Sequence, residues 1–579
     1  MIQLYTAECR RFARWGLGVV ALHLLALLML DRFLPGLRNF GEIYIIVGCV
    51  YGLAGAILGV YQAASYARIN HWIALLHRPL APWRIMLAIS SAGATIVIAA
   101  ILIPTLVFTA WLTAQPGNVV DIRHWILPLA GACVGLVGFI LGNYVAVAPR
   151  RYGWTAIVTV LILIAGENAA GARALLLFAM IVAILGLALA GAFKPERTDP
   201  PSNPALLAIT AAVTAFGLYF VLLVGGAFAY QMTLVAAGRN PLINVPTPGG
   251  LVETSRADSG ELIATALPEA PALGAAVRKA KPIRLPNVVD SLPISGELIS
   301  AMPARLVDQR RGVEWTFSHD ANAFVGLRLK DRRPAGVLKP ERAFDAPPLP
   351  TGDDRMIAGG TLYRFDPARG AIDSQFTLPA GEVIVARPVQ VGTVIAILGD
   401  RALYLVAQSD GKSRRVPVAG AIGDIRRIDL APLPDRMLIS FFFGRNAIEG
   451  PARAWQHVVA VAPDGAVSTV ARRSFAPEFS DAVRYRIYWL SPATHLIAEA
   501  VTRMGGNAAP YLRSEPIAVP GSIRLASVFL SLIAAVGTVL LARRRRLRPV
   551  PTACWVAATL LFGLPVLGTF LLMGRRRAA

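Results

Sequence analysis

Tyr66-Ala-Arg-Ile-Asn-His-Trp-Ile-Ala-Leu-Leu-His-Arg-Pro-Leu-Ala-Pro-Trp-Arg84 joins two long apolar runs, and its reading decides how the chain is understood. Ile69, Trp72, Ile73 and Leu76 recur at i, i+3, i+4 and i+7, which places four apolar side chains on one helical face. Pro79 removes a backbone donor and ends that helix before the next apolar run begins. The spacing predicts a short amphipathic helix in a loop between two membrane crossings, with His77, Arg78 and Pro79 at its exit. Its apolar face needs cover, from the bundle and its lipid or from a partner.

Composition agrees with a loop between crossings. The chain of 579 residues is 55% hydrophobic, with a mean hydropathy of +0.55, values too high for a soluble enzyme. Several apolar runs reach the ~20 residues that span a hydrocarbon core. Crossings are expected at about 15–35, 43–65, 85–113, 125–147, 153–167, 173–193, 205–230 and 521–542, eight in all. The formal net charge of +22 does not point to nucleic acid, because the arginines cluster at the ends of the apolar runs. Arg10, Arg11, Arg14, Arg68, Arg78, Arg84, Arg150, Arg151, Lys194 and Arg197 all fall on one side, against Arg38, Arg123 and Arg173 on the other. The positive-inside rule then puts the N-terminus in the cytoplasm and residues 231–520 outside it, as in a multi-pass protein of a bacterial inner membrane. Asp31-Arg32 and the absence of a small-x-small site argue that the first crossing is retained and is not a cleaved signal.

The two ends depart from simple crossings. In residues 1–14, Ile2, Tyr5, Cys9 and Phe12 share a stripe, which fits a helix lying in the interface as well as an ordinary basic flank. After the eighth span, Arg543-Arg-Arg-Arg546 precedes an apolar run from Val550 to Met573 that ends at Arg575-Arg-Arg577. Phe562-Gly-Leu-Pro-Val566 interrupts that run. Each half is about a dozen residues, or roughly 18 Å of helix, so a hairpin returning to the cytoplasmic side is expected.

Residues 231–283, rich in Pro, Gly and Ala, read as a linker with short helices. From 284 to 520 the pattern changes to short alternating strands such as Val313–Phe317, Thr361–Phe365, Ala402–Val406 and Met437–Phe443. A weak repeat runs through them: Phe324–Gly336, Leu362–Gly370, Leu403–Gly411 and Val458–Gly465 each combine a strand with an Asp-to-Gly turn. Turn chemistry explains any one of these. Their recurrence at the size of a four-stranded blade predicts an irregular β-propeller-like domain. The expected architecture is thus a polytopic α-helical membrane protein, with a transmembrane region at 1–230, a large extracytoplasmic all-β domain, and 521–579 as the last span plus hairpin.

Leu75-Leu-His-Arg-Pro-Leu-Ala-Pro-Trp-Arg-Ile-Met-Leu-Ala88 resembles the loop before the third span in the type-2 class of ABC exporter permeases, with Ala81 where Ser is common. The resemblance covers residues 1–193. It implies a permease subunit whose coupling helix, here Ile69, Trp72, Ile73, Leu76, His77, Arg78 and Pro79, docks a separate cytoplasmic ATPase subunit. It further implies an N-terminal helix on the same surface, a dimer of permease subunits, and ATP bound by the partner and not by this chain. Glu167 lies where that family carries an external re-entrant element, although interfacial polarity accounts for it equally. His23 and Asn143 are polar residues within spans, which tend to face a bundle interior or a path.

Other chemistry is sparse. Gly411-Lys-Ser413 lacks the first glycine of a phosphate-binding loop, with Val406 in its place. His319, His457 and His495 have no ligand spacing, so no metal site is expected. Cys9, Cys49, Cys133 and Cys554 form no Cys-x-x-Cys pair. Two further classes compete with the exporter: a membrane-anchored sensor or scaffold with a ligand-binding propeller, and a periplasmic dehydrogenase using a quinone cofactor. The sensor lacks an output segment, and the dehydrogenase lacks enough blade repeats.

Overall fold

The computed structural model describes all residues except 34–40, 67–68, 117, 165–170, 245, 300–303, 506–509 and 575–579. Its helical part begins with α1 (Ile2–Phe33), α2 (Gly41–Tyr66), the short α3 (Ile69–Leu76), α4 (Pro82–Ala114) and α5 (Ile122–Val147). Then come α6 (Arg150–Gly153), α7 (Thr155–Ile164), α8 (Gly171–Ala192) and α9 (Pro204–Phe220), which a π-turn at Val221–Gly225 joins to α10 (Gly226–Ala236). Together with α17, described below, seven helices among the described residues are long and apolar enough to cross a membrane. These are the lengths and composition of a membrane-spanning protein. The crossing expected at 153–167 is not among the seven: α7 has 10 residues, and the rest of that segment lies outside the described residues.

α1 runs unbroken from Ile2, so residues 1–14 are not a separate interfacial helix. Its inward stripe is Leu4, Glu8 and Phe12, while Ile2 is exposed. A helix buries residues four apart, and this stripe is rotated from the one expected because it includes a carboxylate.

α2 and α5 meet backbone to backbone. A Cβ built on Gly55 would lie 2.0 Å from the Gly135 carbonyl oxygen, and one on Gly138 2.0 Å from that of Gly52. Gly59 approaches Phe139 and Gly142 approaches Ala56 in the same way, at 2.1 and 2.2 Å. Where lipid tails are as apolar as leucine, such close approach is what holds two helices together.

The β-rich part contains four meanders. Sheet I is β2 (Arg305–Asp308), β3 (Val313–Ser318), β4 (Ala323–Arg328) and β5 (Pro334–Leu338); sheet II is β6 (Leu349–Gly352), β7 (Arg355–Ala358), β8 (Thr361–Asp366) and β9 (Ala371–Thr377). Sheet III is β10 (Val389–Val391), β11 (Val394–Leu398), β12 (Ala402–Ala407) and β13 (Ser413–Pro417). Sheet IV is β14 (Ile425–Pro432), β15 (Met437–Phe443), β16 (Ala454–Val461) and β17 (Val467–Phe475), with β1 (Ile283–Arg284) added at its edge against β14.

The weak repeat is structural. Its four segments hold the hairpins between the third and fourth strands of the four sheets. In every one, the aspartate carboxylate accepts from the backbone N–H two residues on: Asp331 from Arg333, Asp366 from Ala368, Asp410 from Lys412 and Asp464 from Ala466. This local bond is what makes Asp a turn residue.

The sheets stack face to face. Trp315 and Phe324 of sheet I pack with Met356 and Tyr363 of sheet II. Ile357 and Leu362, on the other face of II, meet Ile397 and Tyr404 of III. Leu403 and Leu405 of III meet Ile428 and Phe441 of IV. The far face of sheet IV is covered by α12 (Ser259–Ala264) and α13 (Pro271–Lys279), through Ile263, Leu267 and Val277 against Leu438 and Val458. The four sheets therefore form an arc that ends at helices, because the face sheet IV would turn to sheet I in a closed ring is occupied. Residues 251–283 accordingly belong to the folded unit and are not linker: α11 (Leu251–Arg256) buries Leu251 against Phe442 and Ala454.

After sheet IV come α14 (Asp481–Arg484), α15 (Arg486–Leu490) and α16 (Pro492–Gly505), then α17 (Gly521–Arg544), α18 (Pro549–Phe562) and α19 (Leu564–Met573). α15 lies against α17, and α16 against α8 and α18, so residues 486–505 belong with the apolar helices although the sequence pattern groups them with the β domain. Gly563, at φ +67°, separates α18 from α19 beside Ser531 in the middle of α17. Arg545 at the end of α17 donates to the Phe570 carbonyl near the end of α19, at 2.7 Å. The last two helices thus reverse direction at Gly563, and the end of α19 comes back to the end of α17. Arg575 to Arg577 lie outside the described residues.

Candidate functional site

α3 forms where the periodicity puts it, but it presents a different face. Trp72 is 5% exposed and Leu75 3%, while Ile73 is 46% exposed. The side chains of Ile69 and Leu76 lie outside the described residues. Trp72 packs on Phe193 with the rings tilted by 57° and their centroids 4.8 Å apart, and its indole N–H donates to the Lys194 carbonyl at 3.3 Å. The Arg197 guanidinium sits over the same ring, 5.3 Å from its centroid. A large amphipathic ring gains most where its face meets apolar atoms and a cation and its N–H finds an acceptor. The chain's own segment after α8 supplies all three. Trp72 is therefore an internal anchor, which corrects its place on the expected docking face. Ile73, His77, Arg78 and Pro79 are among the exposed residues of the loop.

The same nest reaches α5. Arg197 donates from Nη2 to the Ala146 carbonyl at 2.6 Å and from Nε to that of Val147 at 3.4 Å, satisfying carbonyls at the end of a helix. Nearby, Arg151 donates to the carbonyls of Thr198 (2.7 Å) and Gly574 (2.5 Å). One end of the bundle thus gathers α3, the last turn of α5, the segment after α8 and the end of the hairpin.

Glu8 of α1 is a second feature of this end. Glu8 is 4% exposed; its carboxylate accepts from the Tyr66 hydroxyl and from Gln62 Nε2 at 3.3 Å and forms an ion pair with Arg11 at 3.5 Å. A buried carboxylate persists where charge and donors surround it. Sequence reading missed it; the signal was its place between Leu4 and Phe12 at i, i+4, i+8. Among the companion residues, Tyr5 bonds Thr95 at 3.0 Å, Phe12 meets Tyr61, and Cys9 is half-buried.

The polar residues expected along a path are occupied by their own neighbours. His23 Nδ1 lies 2.9 Å from the Ala100 carbonyl and Nε2 2.8 Å from the Tyr51 hydroxyl. A carbonyl only accepts, so Nδ1 carries the proton and Nε2 accepts from Tyr51. Asn143 is buried in the α2–α5 seam and donates to the Phe139 carbonyl at 3.1 Å. Glu167 lies outside the described residues. Among the described residues no group of His, Cys, Asp and Glu could hold a metal.

At the opposite end, the first turn of α5 is gripped by sheet I. Asp121 is 1% exposed and accepts from the Ser318 hydroxyl (2.6 Å) and the His319 N–H (3.1 Å). In return, Asp320 accepts from the Ile122 N–H at 2.8 Å, so a carboxylate from the β3–β4 turn caps the helix. Burial would raise the Asp121 carboxyl, but these hydrogen bonds, with His124 and Arg123 beside it, hold it below its usual range. Burial and the Arg123 charge push His319 down to about 4.

No family model and no curated protein matches the chain. A solved structure of the extracellular domain of a candidate one-component system from B. thetaiotaomicron is similar over 30% of this chain and 37% of that one, at 10% identity and a TM-score of 0.17. That likeness is too slight to assign a fold or a role. The match spans just over a third of that solved chain.

Proposed function

We propose that this chain is the membrane subunit of an ATP-driven exporter of the type-2 ABC class, working with a separate cytoplasmic ATPase, and that the α3 loop is where the ATPase docks. The observation that carries the reading is α3 itself, an eight-residue helix held between α2 and α4, whose last two residues open the Leu75-Leu-His-Arg-Pro-Leu80 run. Its tilt and depth are fixed from behind by Trp72, and Ile73, His77, Arg78 and Pro79 are left outward. A short helix too small to be stable alone, pinned on one side and bare on the other, suits a lever that a partner grips. In this reading the basic ends lie in the cytoplasm, the β-rich arc lies outside as an open propeller-like domain, and two permease subunits meet in the membrane. ATP stays on the partner.

The test separates the outward face from the anchor. Ile73→Glu and Arg78→Glu should leave the chain folded and release the ATPase in detergent pull-down, since losing an interface anchor costs ~2 kcal/mol or more. Trp72→Ala should instead lower thermal stability. An intact complex with full ATPase stimulation in the Ile73→Glu, Arg78→Glu double variant would refute the docking assignment.

A further inference from the structure

The two ends of α5 are held by different parts of the molecule, and its second half is packed backbone to backbone against α2. Outside, Asp121 is enclosed by Ser318 and His319, and Asp320 caps the Ile122 N–H. At the other end Arg197 holds the carbonyls of Ala146 and Val147 and covers the Trp72 ring of α3. Between them lie 26 helical residues, about 39 Å at 1.5 Å per residue. Over the second half of this length, close backbone approaches at Gly135, Gly138 and Gly142 hold α5 to α2, whose chain leads into α3, and Pro128 lies in the half nearer Asp121. A helix packed backbone to backbone in this way moves as a body over the packed turns, and a displacement of its first turn reaches them through Pro128, where one backbone hydrogen bond is missing.

We infer that α5 is a strut through which the β-rich arc sets the position of α3. A displacement of the β3–β4 turn moves the N-terminus of α5, and Arg197 passes that movement to Trp72. In the exporter reading, on which this regulatory role rests, occupancy or movement of the outer domain tunes how α3 meets the ATPase. The strut itself is a property of this chain alone.

The experiment uses the full-length chain in nanodiscs without any ATPase. The four native cysteines are replaced and a reporter thiol is placed at exposed Ile73. Asp320→Ala removes the outer cap and is expected to change the thiol-labelling rate at position 73 by about fivefold, the population change that losing one cap produces. Asp320→Asn keeps an acceptor oxygen and should restore the parent rate. Arg197→Ala, at the inner end, should abolish the response to Asp320→Ala. If Asp320→Ala does not fold, Ser318→Ala, which removes one bond to Asp121, carries the same test. Asp410→Ala, on an exposed hairpin of sheet III, is the control and should have no effect. Unchanged labelling in the folded outer-end variant, or an equal change in the Asp410→Ala control, overturns the strut. Coupled labelling in a chain that binds no ATPase would uphold the strut and sink the exporter reading.

Discussion

Gly138→Ala is the smallest change that should damage the bundle, and its cost follows from one distance. The new methyl would sit 2.0 Å from the Gly52 carbonyl oxygen, about 1.4 Å inside ordinary contact. That oxygen belongs to a helix and cannot swing aside, so α2 and α5 must part. Overpacking of this kind costs ~1–3 kcal/mol. Parting also loosens the neighbouring approaches at Gly55, Gly59 and Gly142, where on the order of ten atom pairs each lose up to ~0.1–0.2 kcal/mol. Against this stands the better helix propensity of alanine, ~1 kcal/mol. The net loss is about 2 kcal/mol, roughly a thirtyfold fall in the folded-to-unfolded ratio. Gly186→Ala in α8 is the matched control, because nothing lies within 4 Å of its Cβ; it should be neutral or stabilising. Reversible unfolding of the purified full chain in a mixed-micelle titration measures both. Equal stabilities for the two variants would refute the claim that the α2–α5 seam depends on backbone contact.

Three further outcomes are expected. His319 titrates at about 4 when folded against about 6.5 in an unfolded chain, so its share of stability is present above pH 6.5 and is lost as pH falls toward 4. Asp121 is lowered too and acts in the same direction, with Arg123, His124 and Asp320 as the other charged or titratable groups facing the turn. Protection from hydrogen exchange at residues 318–322, taken relative to the intrinsic rate at each pH, should therefore fall on acidification, and His319→Asn should flatten the response; pH-independent protection in the wild type would contradict this. Arg427→Ala should cost ~1.5–3 kcal/mol in the β-rich arc, because fully buried Asp429 loses the bond from Arg427 Nε at 2.6 Å and keeps only the Ser259 hydroxyl at 2.5 Å and the Arg284 guanidinium at 3.5 Å; a melting transition within error of wild type would show that the pair is dispensable. Gly563→Ala must hold a side chain at φ +67°, with its Cβ 2.9 Å from the Leu490 carbonyl, a strain of ~1–3 kcal/mol. Lower membrane yield is expected, while a thiol at position 574 stays accessible from the same side as one at position 78; accessibility from the opposite side would mean that the last apolar run crosses.

How much could be read without coordinates depended on whether a feature is local. The Asp-to-Gly hairpins were legible because an aspartate that accepts from an N–H two residues on needs no other part of the chain. The break at Gly563 and Pro565 was legible for the same reason, since φ preference and a missing donor belong to the residue itself. Helix length and composition likewise marked the long apolar runs, although the described part of the fifth crossing is too short to count.

What the sequence could not settle was direction. The i, i+3, i+4, i+7 pattern of α3 is satisfied whichever side faces in, and only Phe193, Lys194 and Arg197, more than a hundred residues away, turn Trp72 inward. The same holds for Glu8, for the glycine seam, for the reciprocal aspartates at the start of α5 and for residues 486–505, whose burial depends on partners distant in the chain. The sheets follow the same rule: four meanders are encoded hairpin by hairpin, but whether they close into a ring is decided by what covers the last face, and α12 and α13 cover it. The sequence by itself determined the local periods, turns and breaks, because those energies arise within a few residues. Which faces are buried was decided by the tertiary structure alone, because burial is a property of two surfaces and each stretch of sequence describes one.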